Sequence, residues 1–153
     1  MEKTIYIPGD LVMTNGIPIG TNKGIVYQVT ESNAEKIVKD GNGFTILRGS
    51  VTLSNIKGKT FHDEGFLFGD CGAWIKDIVP IPLTPSILEK NGWEASLEST
   101  SIYVKEDNVK IFRLLDDIHY AAYIGFVRLL EFQHIHQLQH LLFGLGLNSE
   151  MEV

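Results

Sequence analysis

The chain has a single cysteine, Cys71, in 153 residues, so no disulfide can form within it, and a reducing compartment is the expected setting. No apolar run approaches the roughly 18 residues that a membrane span needs. The opening residues, Met1 to Pro8, lack the basic stretch, apolar run and small-residue cleavage site of a secretory leader. The expectation is a soluble, cytoplasmic protein with no membrane partner. Basic side chains are also scarce, with 13 Lys and Arg against 19 Asp and Glu and a net charge of −6. Residues 94–153 carry nine acidic and four basic side chains, a balance of −5, while residues 1–93 carry ten and nine, a balance of −1. Nucleic-acid binders draw most of their affinity from cations that neutralise phosphates, so a nucleic-acid partner is disfavoured. Despite 15 glycines, there is neither a phosphate-cradling loop ending in Lys-Ser or Lys-Thr nor a dinucleotide fingerprint. Nucleotide hydrolysis therefore has no motif to support it.

What is present suits a globular protein, since 44% hydrophobic residues can fill one ordinary core or the cores of two small lobes. Short β-type runs dominate the first eighty residues: Leu11-Val12-Met13, Gly24 to Thr30, Phe44 to Leu47, and Val51-Thr52-Leu53. Asn15-Gly16, Asp40-Gly41-Asn42-Gly43 and Lys57-Gly58-Lys59 separate them and supply residues that tolerate the positive φ of tight turns. The Gly9-Asp10-Leu11-Val12 opening and the strand count predict a small SH3-like barrel over residues 1–80. Its last strand is expected at Trp74 to Val79, ended by Pro80 and Pro82.

A bridge over residues 81–93 should contain a short helix. Thr84 suits the N-cap, Pro85 the first helical position and Gly92 the left-handed stop. Residues 94–153 then read as antiparallel strands closed by a helix. A hairpin turn falls at Glu106-Asp107-Asn108, another turn starts at Asp116-Asp117, and His119 to Leu130 forms one strand broken at Gly125 or two strands. The closing helix runs from about Gln133 to Leu145, and the Glu150 to Val153 tail is a candidate edge strand. The fold class is thus α+β, with an N-terminal SH3-like barrel, a short bridging helix and a C-terminal antiparallel sheet with a closing helix.

Three of the five histidines, His134, His136 and His140, fall on the closing helix. At about 100° per residue, His136 and His140 lie within about 40° of each other, while His134 points away. The run resembles the zincin pattern only superficially, because Gln137 stands where a general-base Glu would be and an amide cannot accept a proton from water. No metal or other cofactor is expected. On the same projection Ile135, Leu138, Leu141, Leu142 and Leu145 form the core stripe, which leaves His136, Gln139, His140 and Phe143 on the opposite side, where His136 and Gln139 either hydrogen-bond backbone groups or face solvent, or the four make a ligand- or partner-binding face. Cys71, between Asp70 and Gly72, lacks the cationic neighbour that activates a thiolate and reads as a turn residue.

Two segments carry a resemblance. Ile78-Val79-Pro80-Ile81-Pro82-Leu83-Thr84-Pro85-Ser86-Ile87-Leu88-Glu89-Lys90-Asn91-Gly92-Trp93 and the His136-Gln137-Leu138-Gln139 helix with Phe143 and its acidic tail resemble a family of small proteins encoded by Bacteroides phages, prophages and related mobile elements. That family pairs a Pro-Ile-Pro-Leu-Thr linker with a closing helix of Tyr-Val-His-x-Leu-Gln-Asn type, and His134, Ile135 and His140 depart from it. The resemblance implies a host bacterial cytoplasm and brings no activity. The function expected is a non-enzymatic binding or interaction module, with a protein partner or self-association through the Phe143 face. The alternative is a small-molecule or nucleotide-sequestering counter-defence protein, its pocket lined by Trp74, Trp93, Tyr103 and His136. A metal-dependent hydrolase ranks third.

Overall fold

The computed structural model describes residues 5–34, 36–105 and 108–153, so Glu106 and Asp107 of the expected hairpin turn, and residues 1–4 of the opening, lie outside the described residues. The chain is mixed α+β and mostly strand, and it divides into two compact units, Met1–Ile81 and Pro82–Val153.

In the first unit, β1 (Leu11–Thr14), β2 (Tyr27–Asn33), β5 (Ser50–Ser54), β6 (Cys71–Trp74) and β7 (Ile78–Pro80) form an antiparallel sheet in the order β6-β5-β2-β1-β7. Between β2 and β5, β3 (Lys36–Asp40) and β4 (Gly43–Leu47) make a separate hairpin through a Gly41-Asn42 loop. Period-two alternation fixes which face is buried: Val51 and Leu53 of β5 point into a core shared with Tyr6, Val12, Tyr27, Val29 and Ala73. The sheet has two ends, β6 and β7, and the described strands do not close on each other. The single strand expected over Trp74 to Val79 is instead interrupted by a 3-10 turn at Ile75–Asp77. The reason is topological. Trp74 ends the pairing with β5 while Ile78 pairs with Thr14 at the far end of the strand order, and one straight strand cannot serve both edges.

Two long loops of this unit are braced by polar contacts. After β1, the Thr14 hydroxyl donates to Thr21 Oγ1 (2.9 Å), the Thr21 hydroxyl donates to the Pro18 carbonyl (2.7 Å), and Asn15 Oδ1 accepts from Ile17 N (3.0 Å). After β5, the Asn55 side chain bonds both backbone groups of Leu67. The buried Tyr27 hydroxyl joins the two loops by accepting from Asn22 N (3.0 Å) and donating to the Gly65 carbonyl (2.9 Å).

In the second unit, Leu83 N donates to the Gln133 carbonyl, and α1 (Pro85–Lys90) starts where Thr84 Oγ1 accepts from Ile87 N (3.2 Å). Gly92, at φ +86°, then reverses the chain. An antiparallel sheet follows with strands in chain order: β8 (Glu94–Ala95), β9 (Ile102–Val104), β10 (Val109–Arg113), β11 (Tyr120–Ile124) and β12 (Val127–Phe132). Gly125, at φ +57°, splits β11 from β12, so two strands form there. The closing helix is α2 (Ile135–Gly144). The tail does not become an edge strand. Asn91 holds it, donating through Nδ2 to the Glu152 carbonyl (2.8 Å) as well as to the Ile87 carbonyl (2.8 Å) and accepting at Oδ1 from Glu152 N (2.7 Å), which satisfies the two Glu152 backbone groups a sheet would have used.

Two contrasts test this packing. A Cβ added at Gly65 would lie 2.5 Å from Tyr27 Oη at a φ of +71°, whereas at Gly69 it would meet nothing within 4 Å. Gly65→Ala should therefore cost about 1–3 kcal/mol in a denaturant titration and Gly69→Ala within about 0.5 kcal/mol of zero. In α2, fully buried Leu138 and 67%-exposed Phe143 should separate equally clearly. Leu138→Ala is expected to lose about 2–5 kcal/mol, and Phe143→Ala roughly 0.5 kcal/mol or less. Equal losses in either pair would mean that the packing is misassigned.

Candidate functional site

The histidine helix is turned differently from the sequence projection. Its buried residues are Ile135, His136, Leu138, Gln139 and Leu142, so His136 and Gln139 face inward instead of forming an exposed face with Phe143. The tail explains the turn: Leu147 N donates to the Leu142 carbonyl and Gln139 Nε2 to the Ser149 carbonyl (3.2 Å), so the chain after α2 folds back over the Gln139 side. Gln137, compared above with a catalytic glutamate, is a capping residue. Its Oε1 accepts from both Gln133 N and His134 N, each at 3.0 Å, as the returning side chain of a capping box does. The imidazoles lie near one another, with His134 and His136 stacked at 5.8 Å between ring centroids and His136 and His140 edge-on at 5.5 Å. Among the described residues no three His, Cys, Asp or Glu side chains are grouped to hold a metal ion.

Burial sets the chemistry of this cluster. Desolvation first, then the neighbouring His140 and His134, pushes the His136 pKa down to about 4, and desolvation also lowers that of His134. His119 lies outside the cluster and behaves oppositely. Its Nδ1 stands 2.6 Å from Asp116 Oδ2, which raises its pKa, and that carboxylate, also bonded by Ile118 N and His119 N, falls to about 2.

The other residues picked out by sequence separate as well. Trp93 and Tyr103 are buried within the second unit, and Lys105 Nζ lies 5.9 Å from the centre of the Trp93 ring. His140 is half-buried. Trp74 belongs to the first unit and is 50% exposed. The Cys71 thiol donates to the Ile19 carbonyl (3.1 Å) and is pushed up by burial, which keeps it protonated at neutral pH.

Trp74 leads to a site that composition and motif do not reveal. It walls an open cleft of about 500 Å³ lined by Ile17, Pro18 and Ile19 of the loop after β1, Ser50 of β5, Gly72, Ala73 and Trp74 of β6, and Asp77 of the 3-10 turn. The signal in the sequence is slight: Ile17-Pro18-Ile19 between glycines is an apolar triplet in a turn-rich loop. Pro18 is buried but both isoleucines stay out, Ile17 70% and Ile19 93% exposed. Asp77, by contrast, is buried. Its Oδ1 accepts from Asn15 Nδ2 (2.9 Å), its carbonyl accepts from Asn15 N (3.1 Å), and among the described residues its Oδ2 has no hydrogen-bond or ion-pair partner.

No protein-family model, curated protein or solved structure matches this chain.

The lowered His136 pKa predicts how stability follows pH. In the unfolded chain His136 takes up a proton below its ordinary value near 6.5, while in the folded protein it does so only near 4. The stability present above pH 6.5 should thus be lost as pH falls through that window, by up to about 3 kcal/mol. Denaturant titrations from pH 7 to 4 should show a shallower loss for His136→Gln than for the parent. Superimposable curves would mean that the buried imidazole titrates normally.

Proposed function

We propose that this chain is a non-enzymatic binding module of a phage or mobile element, acting in the host bacterial cytoplasm, and that its first unit receives a segment of a protein partner. The observation that carries this reading is the Trp74 cleft, where a half-exposed indole and two exposed isoleucines remain in water beside a loop that is already braced. Large apolar side chains gathered at one open concavity mark recognition surfaces, and a rigid lip lowers the entropy lost on binding. An SH3-like reading of the first unit is in keeping with this. The order β7-β1-β2-β5-β6, with a 3-10 turn ahead of the last strand, suits such a module, and its long loop after the first strand forms one wall of the cleft.

Random-peptide display on the purified full chain tests the proposal. Selection should converge on sequences that change the emission of exposed Trp74, with buried Trp93 as a constant background, and these should lose binding to Trp74→Ala. Enriched peptides that bind Trp74→Ala as well as the parent would refute the cleft as the binding surface.

A further inference from the structure

We infer that the Trp74 cleft is a receptor for one arginine side chain of the protein partner, entering over the outer face of the β5–β6 pair, with its guanidinium bonded to Asp77 and its stem against the Trp74 indole. This rests on the binding-module reading and names the group that the cleft selects.

The strand register shows where the room lies. Ser50 pairs with Trp74 and Thr52 with Gly72, so Ser50, Gly72 and Trp74 share one face of the β5–β6 pair, while Val51 pairs with Ala73 and both are buried in the core on the other face. The floor of the cleft is low at Gly72, which has no side chain, and a Cβ built there meets nothing within 4 Å. An entering side chain therefore has space over the sheet face, beside the Trp74 indole.

Asp77 argues for a cation. It lines the cleft at 7% exposure, its carboxylate receives one hydrogen bond, at Oδ1 from the uncharged Asn15 amide, and its Oδ2 has no partner among the described residues. Carboxylates so far removed from water are ordinarily paired or hydrogen-bonded at both oxygens. The lining residues include no Lys, Arg or His, so the missing donor has to come from outside the cleft. A metal ion is a poor candidate, because among the described residues no three His, Cys, Asp or Glu side chains are grouped to hold one.

The rest of the lining argues for a guanidinium carried by a protein. A guanidinium is planar, stacks on aromatic faces and holds water less strongly than an ammonium, so arginine loses less on leaving water for a cleft walled by Trp74 and Ile17. Its several donors can reach Asp77 Oδ2 and the Ser50 hydroxyl together, and its aliphatic stem adds apolar contact. Free small ligands are usually enclosed over most of their surface, whereas this cleft is open and Ile19 at its wall is 93% exposed. The cleft thus suits the end of one side chain, with the segment that bears it lying across the exposed isoleucines.

The test titrates the full chain, followed by Trp74 emission, with a blocked Gly-Leu-Arg-Leu-Gly peptide, the same peptide with citrulline or lysine for arginine, and agmatine. The arginine peptide should bind at least about tenfold tighter than the citrulline peptide, a charge-assisted bond being set against a neutral one. It should also outbind the lysine peptide and agmatine. Asp77→Asn, whose Oδ1 can still accept from Asn15, should keep the thermal midpoint and lose the arginine–citrulline difference. Gly72→Val, which fills the space over the sheet face, should keep the midpoint and lose binding of the arginine peptide altogether. Equal binding of the arginine and citrulline peptides, or full binding to Gly72→Val, would overturn the inference while leaving the binding-module reading standing. A lysine peptide as tight as the arginine peptide would overturn the choice of guanidinium, and agmatine as tight as the peptide would overturn a protein-borne occupant. No Trp74 response to any probe would overturn the inference as a whole, whereas failure of the display selection would sink the module reading beneath it.

Discussion

The Tyr27 hydroxyl, buried at the start of the central strand β2, accepts a hydrogen bond from the loop after β1 and donates one to the loop after β5, so it fixes two connections that would otherwise be long and mobile. The first of these loops carries Ile17, Pro18 and Ile19, the outer wall of the cleft. Its shape is therefore inherited from a core tyrosine. The Thr14–Thr21 hydroxyl pair and the Asn15–Asp77 contact continue the brace inward, and the tight approach at Gly65, where a Cβ would lie 2.5 Å from Tyr27 Oη, shows how little slack the junction has.

Two buried titratable side chains are accommodated in different ways. His136, in the second unit, sits in surroundings that favour its neutral form, and burial among other imidazoles is the whole physical account of its low pKa. Asp77, in the first unit, borders an open cleft and keeps an unpartnered oxygen among the described residues. Histidines three or four apart on a helix suggest chemistry by their spacing alone. Here, however, the neighbouring Gln137 is spent on the helix cap and Gln139 on the returning tail, so the run is explained by folding. Asp77, on a short 3-10 turn, is bonded by Asn15 at one carboxylate oxygen only.

Local signals made much of the architecture legible. Thr84, Pro85 and Gly92 set the limits of α1, glycine-bearing turns separated the short strands, and Gly125 marked the β11–β12 turn. Non-local contacts were not legible. The rotation of α2 depends on a tail that folds back ten residues later to bond Gln139, and the break within Trp74 to Val79 depends on which edges β6 and β7 occupy. The candidate cleft was hidden for the same reason. Ile17, Ser50 and the Trp74–Asp77 stretch are far apart in the chain, and only strand order brings them together; the pocket expected from sequence instead joins Trp74 to Trp93, Tyr103 and His136, all buried in the second unit.

Charge acts on this molecule at two ranges, and only one of them selects. The net charge of −6 lies mainly on exposed side chains, where salt screens it within about 10 Å, so it favours approach of any basic partner without distinguishing among them. Asp77 contributes one charge to that sum but is 7% exposed at the side of a cleft, so its interaction with a cation is less screened than that of a surface carboxylate and depends more steeply on geometry. A surface cation placed anywhere on a partner would answer the first effect. Only a cation brought into the cleft beside Asp77 would answer the second.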